Sequence, residues 1–242
     1  MPIHVRSQTV APLVLLPGDP DRATWIAENF LDQATCTTSY RRMFGYHGFY
    51  HGFPVSVQTT GMGGPSAAIV CEELAMLGAK AFIRVGTCGA IDDTMTPGEL
   101  MLVTAACMTD GTSKELFASH MASTPLSGYA PTSDFCFLQK ASQIAESKGF
   151  NYRAGRVASL DRFYGHPMPT YKKLSEAGIQ AVEMEAATVL TFAALHGIKA
   201  AALLTVSDLV FTEKRASDAL IAQGVECMVY VALEAGIASL LT

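Results

Sequence analysis

Short apolar runs alternate with stretches of helical periodicity from one end of the chain to the other, and no other feature restricts the fold as much. Runs at 12–16, 55–59, 81–85, 100–106, 156–159, 180–182 and 200–206 read as strands. Stretches at 22–30, 65–77, 135–148, 185–196 and 217–240 read as helices. Such alternation predicts an α/β chain with a mainly parallel sheet, because near-continuous apolar strands are buried on both faces. Within 65–77 the spacing of Ile69, Val70, Glu73, Leu74 and Leu77 predicts one buried stripe, with Pro65 in the first turn. The aromatic, glycine-punctuated stretch around Tyr46-His47-Gly48 predicts a β-hairpin or excursion over 40–53.

The chain has 242 residues with no repeat, low-complexity tract or linker-like shift, so a single domain over 1–242 is expected. At that size folding buries roughly 70–75% of the unfolded surface, and no staple is needed. Stretches 110–131 and 161–169 have no clear structure and are expected to form rims or lids of a site.

Half of the residues are apolar and 16% are charged, which excludes disorder. The most apolar stretch, 186–204, is interrupted by His196, Gly197 and Lys199, short of the ~18 uninterrupted apolar residues of a membrane span. The apolar surplus is therefore expected in two-faced strands and a subunit interface. A net charge of −5 argues against a nucleic-acid or membrane footprint. The N-terminal residues lack the pattern of a signal peptide, so a cytoplasmic location is expected. Six cysteines without a Cys-x-x-Cys pair are expected to be buried reduced thiols. His47 and His51 lie in apparent β structure, where four-residue spacing builds no metal pair, and no metal site is expected.

Ligands of such folds sit beyond the carboxyl ends of strands, which directs attention to three loops. Leu16 leads into Pro17-Gly18-Asp19-Pro20-Asp21-Arg22, Thr60 into Gly61-Met62-Gly63-Gly64-Pro65-Ser66, and Val85 into Gly86-Thr87-Cys88-Gly89-Ala90. Glycine turns at helix starts present unpaired N–H groups to an anion, and arginine presents a fork that matches phosphate oxygens. Arg84 in an otherwise apolar strand is costly unless an anion pairs with it. Together these residues predict a phosphate site. Glu183 and Glu185 flank Met184 at a strand-to-helix junction, where a carboxylate can accept two hydrogen bonds from a ribose diol. Ser207-Asp208 ends the last apolar run, and an aspartate in a dry pocket can act as a proton donor.

Taken in order, Gly18-Asp19-Pro20-x-Arg22, Gly61-Met62-Gly63-Gly64-Pro65-Ser66, Arg84-Val85-Gly86-Thr87-Cys88-Gly89-Ala90, Val182-Glu183-Met184-Glu185-Ala186-Ala187 and Ser207-Asp208 resemble the nucleoside phosphorylase family of the hexameric type. The resemblance implies a three-layer α/β/α fold and reversible phosphorolysis of a nucleoside to free base and pentose 1-phosphate. No cofactor is implied, since inorganic phosphate is a co-substrate. It further implies phosphate contacts from Gly18, Arg22, Arg84, Val85, Gly86 and Thr87, and nucleoside contacts from Met62, Phe163, Val182, Glu183, Met184, Glu185 and Ser207. A homohexamer, a trimer of dimers, would lend His4 to the nucleoside and Arg41, or its neighbour Arg42, to the phosphate of the adjoining site.

Two branches of the family compete. Ser207-Asp208 resembles the purine branch, in which the aspartate protonates N7 of the leaving base, and 165–169 lacks the glutamine and arginine with which the uridine branch holds uracil. Gly63-Gly64-Pro65-Ser66 and Thr109-Asp110-Gly111 resemble uridine phosphorylases instead. An arginine that assists the aspartate in the purine branch falls near Ile221 here, with Arg215 close by. A nucleosidase, or a nucleoside-binding protein without activity, are the further readings of the same fold.

Overall fold

A computed structural model of the chain describes residues 1–8, 10–122 and 128–241. Strands β1 (Leu13–Leu16), β4 (Phe53–Gln58), β5 (Ala81–Ala90) and β9 (Lys199–Leu209) run parallel in the order β4-β1-β5-β9. Strands β6 (Leu100–Met108), β7 (Tyr152–Ser159) and β8 (Ala181–Glu183) are parallel to one another. Antiparallel pairing of β6 with β9 and of β8 with β5 closes these strands into a ring, so the parallel expectation holds for the spine and not for its closure. Beyond β4 the sheet continues antiparallel through β3 (Gly45–Tyr50) and β2 (Asp32–Thr38), and the two-residue β10 (Lys214–Arg215) borders β9 at the other end.

The strands alternate between two cores. Leu13 and Leu15 face one side, where α1 (Pro20–Phe30), α4 (Phe135–Lys148) and α7 (Asp218–Leu240) pack, while Val14 and Leu16 face α2 (Gly64–Met76) and α6 (Ala186–Leu195). A three-layer α/β/α arrangement follows. Since both faces of these strands are buried, the period-2 signal of a half-buried strand is erased and a continuous apolar run remains. Helix α3 (Gly111–His120) joins the second layer beside α6, and α5 (Met168–Glu176) packs Tyr171 into a third, smaller cluster with Ile91, Leu160 and Ile179.

Several expectations are corrected. Gly86–Ala90 is not a loop: pairing with β9 and β8 carries β5 through the glycines to residue 90. Edge strand β2 was not expected, since it is almost wholly solvent-facing and carries no apolar alternation. Helix α3 occupies ten residues of the stretch 110–131, of which 123–127 lie outside the described residues, whereas 161–167 is irregular and α5 begins only at Met168. The α2 stripe is rotated: Val70, Glu73 and Leu74 are buried with Ala67 and Cys71, while Ile69 is 46% exposed. The helix most compatible with a membrane by length and composition is α7, not 186–204, yet half of its apolar window is buried in the fold, as in a core helix. Of the six free cysteines only Cys71 and Cys88 are buried, whereas Cys36, Cys107 and Cys136 are exposed.

Candidate active site

A cavity of about 480 Å³ opens where β1, β5, β8 and β9 end, and it gathers residues from all the sequence motifs. Gly18, Arg22, Met62, Arg84, Gly86, Thr87, Phe163, Val182, Glu183, Met184, Glu185, Ser207 and Asp208 line it. Val85 does not; it is fully buried within β5 on the sheet's other face. Leu160, Arg162 and Tyr171 line the cavity without being expected there, and Cys88 and Gly89 of the third motif join them.

The floor is a charge network. Arg84 is 4% exposed, and its Nε donates to Glu183 Oε2 at 2.8 Å while Nη2 lies 2.5 Å from Glu185 Oε2. The anions that make a buried arginine tolerable here include two carboxylates of the chain itself. Burial lowers the affinity of Arg84 for its proton, but Glu185 and then Glu183 outweigh this and hold the guanidinium firmly charged. Its Nη1 faces the first glycine turn, where a Cβ on Gly18 would sit 4.0 Å away. Arg22, at the start of α1 behind the cap Asp19, is held below the usual guanidinium range, chiefly by burial and further by the charge of Arg84, with Asp19 opposing. Two guanidiniums near one another in a desolvated corner make that corner a receptor for an anion.

Glu183 is occupied on every side. It accepts from Arg84, from Ser159 Oγ and from the N–H groups of Glu185 and Ala186, both at 2.8 Å, which caps the N-terminus of α6. Its side chain has no exposed surface and anchors the floor, while the residue still lines the cavity. Glu185 accepts the Gly63 N–H at 2.5 Å, a contact made possible by the positive φ of 88° at that glycine. Burial foremost, and the adjacent Glu183 charge, raise the Glu185 carboxyl above the usual range against the opposing pull of Arg84.

At the other end stands Asp208. Its Oδ1 lies 2.6 Å from the Ser207 hydroxyl, which also approaches the Cys88 carbonyl at 3.2 Å. A Cβ on Gly89 would meet Asp208 Oδ2 at 2.8 Å, so only glycine lets the carboxylate lie across β5. Arg215 is the register partner of Asp208 across the β10–β9 pair, with an exposed side chain, and Ile221 is half-buried on α7. Phe163 and Met62, 67% and 84% exposed, flank the mouth.

His4 and Arg41 do not line this cavity. Each instead approaches Tyr40: the His4 ring lies 5.9 Å from the Tyr40 ring, and the Arg41 guanidinium lies 5.7 Å from the same ring. The His4 side chain and main chain are tied to Glu73 of α2, with Nδ1 at 2.9 Å from Oε1 and the N–H at 2.7 Å from Oε2. Arg41 and Arg42 both hold positive φ, 54° and 60°, a strained turn that side chains rarely adopt. Arg42 instead lies over Phe44, so Arg41 is the one grouped with His4. Among the described residues no cluster of three His, Cys, Asp or Glu forms a metal-binding group; His47 contacts Ser56, and His51 lies beside Glu234.

The sequence model of the Phosphorylase superfamily matches residues 12–228. The chain belongs to that superfamily. It is 39% identical over 240 residues to the DeoD-type purine nucleoside phosphorylase of Bacillus cereus, covering 98% of this chain and 99% of the relative. The DeoD-type purine nucleoside phosphorylases of Bacillus cytotoxicus and Bacillus thuringiensis match at the same identity and coverage. Within the superfamily, both stretches with a uridine-phosphorylase look lie outside the cavity lining. Asp110 caps α3 and binds Thr188 of α6, and a Cβ on Gly64 would meet Thr112 and Thr188 at 2.8 Å, so these residues pack α2, α3 and α6 together.

Proposed function

We propose that the protein catalyses reversible phosphorolysis of purine ribo- or deoxyribonucleosides, yielding the free purine and pentose 1-phosphate. One observation carries the reading: a single cavity has paired guanidiniums at one end and an aspartate at the other. Phosphate held by Arg22, Arg84, Thr87 and the Gly18 turn is placed to attack C1′ of the pentose, with Glu185 at the floor for the sugar hydroxyls. As the C1′–N9 bond breaks, its electron pair passes to the base, and the proton of Asp208 moves to N7 so that the base does not leave as an anion. Phosphate meanwhile stabilises the positive charge that develops on the sugar and then bonds to C1′.

The purine assignment over uridine is supported by Asp208 in the cavity and by the packing role of Gly64 and Asp110 in the two uridine-like stretches. The arginine pair supports phosphate rather than water as nucleophile, and the retained acid supports catalysis rather than binding alone. The His4–Tyr40–Arg41 corner supports a homo-oligomer, a hexamer in our reading, that lends this corner to a neighbour's cavity. Unpaired cysteines suit a reducing cytoplasm.

The deciding experiment is turnover of inosine, adenosine and uridine with and without phosphate. Purine cleavage that requires phosphate and releases pentose 1-phosphate is expected. Equal turnover in phosphate-free buffer would mean a nucleosidase, and uridine as best substrate would overturn the purine assignment.

A further inference from the structure

Tyr171 is buried at 8% exposure on α5, yet it lines the cavity together with Leu160, Val182 and Asp208. Its ring packs against Leu160 and Ile179 and edge-on to His166, with centroids 5.8 Å apart, and phenylalanine would fill that role equally well. The hydroxyl is what needs explaining. Among the described residues it has no protein hydrogen-bond partner, and because the side chain lines the cavity a ligand held there can supply one. The phenol is also pushed above its usual range, first by burial and then by the carboxylate of Asp208, with Arg162 opposing, so it stands within electrostatic reach of the acid.

We infer that Tyr171 determines base specificity by hydrogen-bonding the substituent at C6 of a purine whose N7 faces Asp208. The inference rests on the purine phosphorolysis reading above. On a purine, N7 and the C6 substituent share one edge, so a group beside the N7 acid is beside that substituent too. A phenol both donates and accepts, which lets one residue serve a 6-oxo base as donor and a 6-amino base as acceptor. It offers nothing to a base with hydrogen at C6.

The test compares wild type and Tyr171→Phe on inosine, adenosine and purine riboside, which lacks a C6 substituent, at saturating phosphate. The variant is expected to lose roughly threefold to tenfold in kcat/KM on inosine and adenosine, the range of one neutral hydrogen bond, and to match wild type on purine riboside. An equal loss on all three substrates would overturn the inference, since the hydroxyl would then act on Asp208 or on cavity shape. No loss on any of them would overturn it as well. A wild type that cleaves none of the three would instead break the phosphorolysis reading, and this inference with it. Should the variant fail to fold, wild-type binding decides: hypoxanthine must bind several-fold more tightly than unsubstituted purine, and equal binding overturns the inference.

Discussion

At the floor of the cavity Arg84 spans two carboxylates, Glu183 accepts from a side chain and two backbone N–H groups, and Glu185 reaches back to Gly63. At the mouth, Phe163 and Met62 are 67% and 84% exposed, and among the described residues Arg162 donates to the carbonyl of Gly165 three residues away. The floor is preorganised by long-range contacts between β5, β8 and α6, whereas the mouth is local and open to solvent. In the proposed reaction the floor meets the phosphate and pentose, which every substrate shares, and the mouth meets the base, which varies. Rigidity is concentrated where the ligand is constant.

The largest effect should come from breaking the floor. Arg84→Ala leaves Glu183 and Glu185 buried beside each other without their cation, which is expected to cost about 3–5 kcal/mol of stability. Turnover should fall by at least roughly two orders of magnitude with it. A melting curve equal to that of wild type would mean that the network does not preorganise the site.

At the base end, Asp208→Asn keeps shape and a hydrogen-bonding group while removing the proton. A loss of about 10²- to 10⁴-fold in turnover of inosine or adenosine is expected, with little change in stability. A 7-methylated purine nucleoside already carries its positive charge and should lose far less in the same variant. Intact purine turnover would remove Asp208 from the reaction.

The smallest effect is expected outside the cavity lining, where Glu73 holds His4 and Val5. Burial would raise its carboxyl, but the N–H of Val5 and the ring and N–H of His4 more than compensate and hold it at about 2, against 4.5 for a free glutamate. A depressed carboxylate stabilises fully above its unfolded value and loses that contribution as pH falls through the folded one. The melting-temperature advantage of wild type over Glu73→Gln should therefore be constant above about pH 4.5 and fade toward pH 2. An advantage that does not vary with pH would assign the effect to shape rather than charge.

Much of the spine and most of the cavity lining could be read from the chain because buried strands and glycine turns leave local signals. What could not be read is non-local. Nothing around Arg84 in sequence says that residues 183 and 185 meet it, so the chain alone shows that an anion must pair with it and not that two carboxylates do. The glycines of 86–90 looked like a loop because the ladder partners that extend β5 lie in β8 and β9. Tyr171 sits in a short helix behind two prolines, and only the fold turns it toward Asp208.

The ring of strands has a consequence at the scale of many molecules. Because β5 through β9 close on one another, the sheet keeps only two free borders, the two-residue β10 and the strand β2. β2 is polar and solvent-facing, it carries Gln33 at a φ of 53°, and its register with β3 shifts twice. Neither border offers a long, flat, apolar template, so templated growth of one sheet onto the next, the route to fibrils, is obstructed at both ends. A chain this rich in apolar residues can then reach high concentration and still associate through side-chain surfaces rather than through backbone edges.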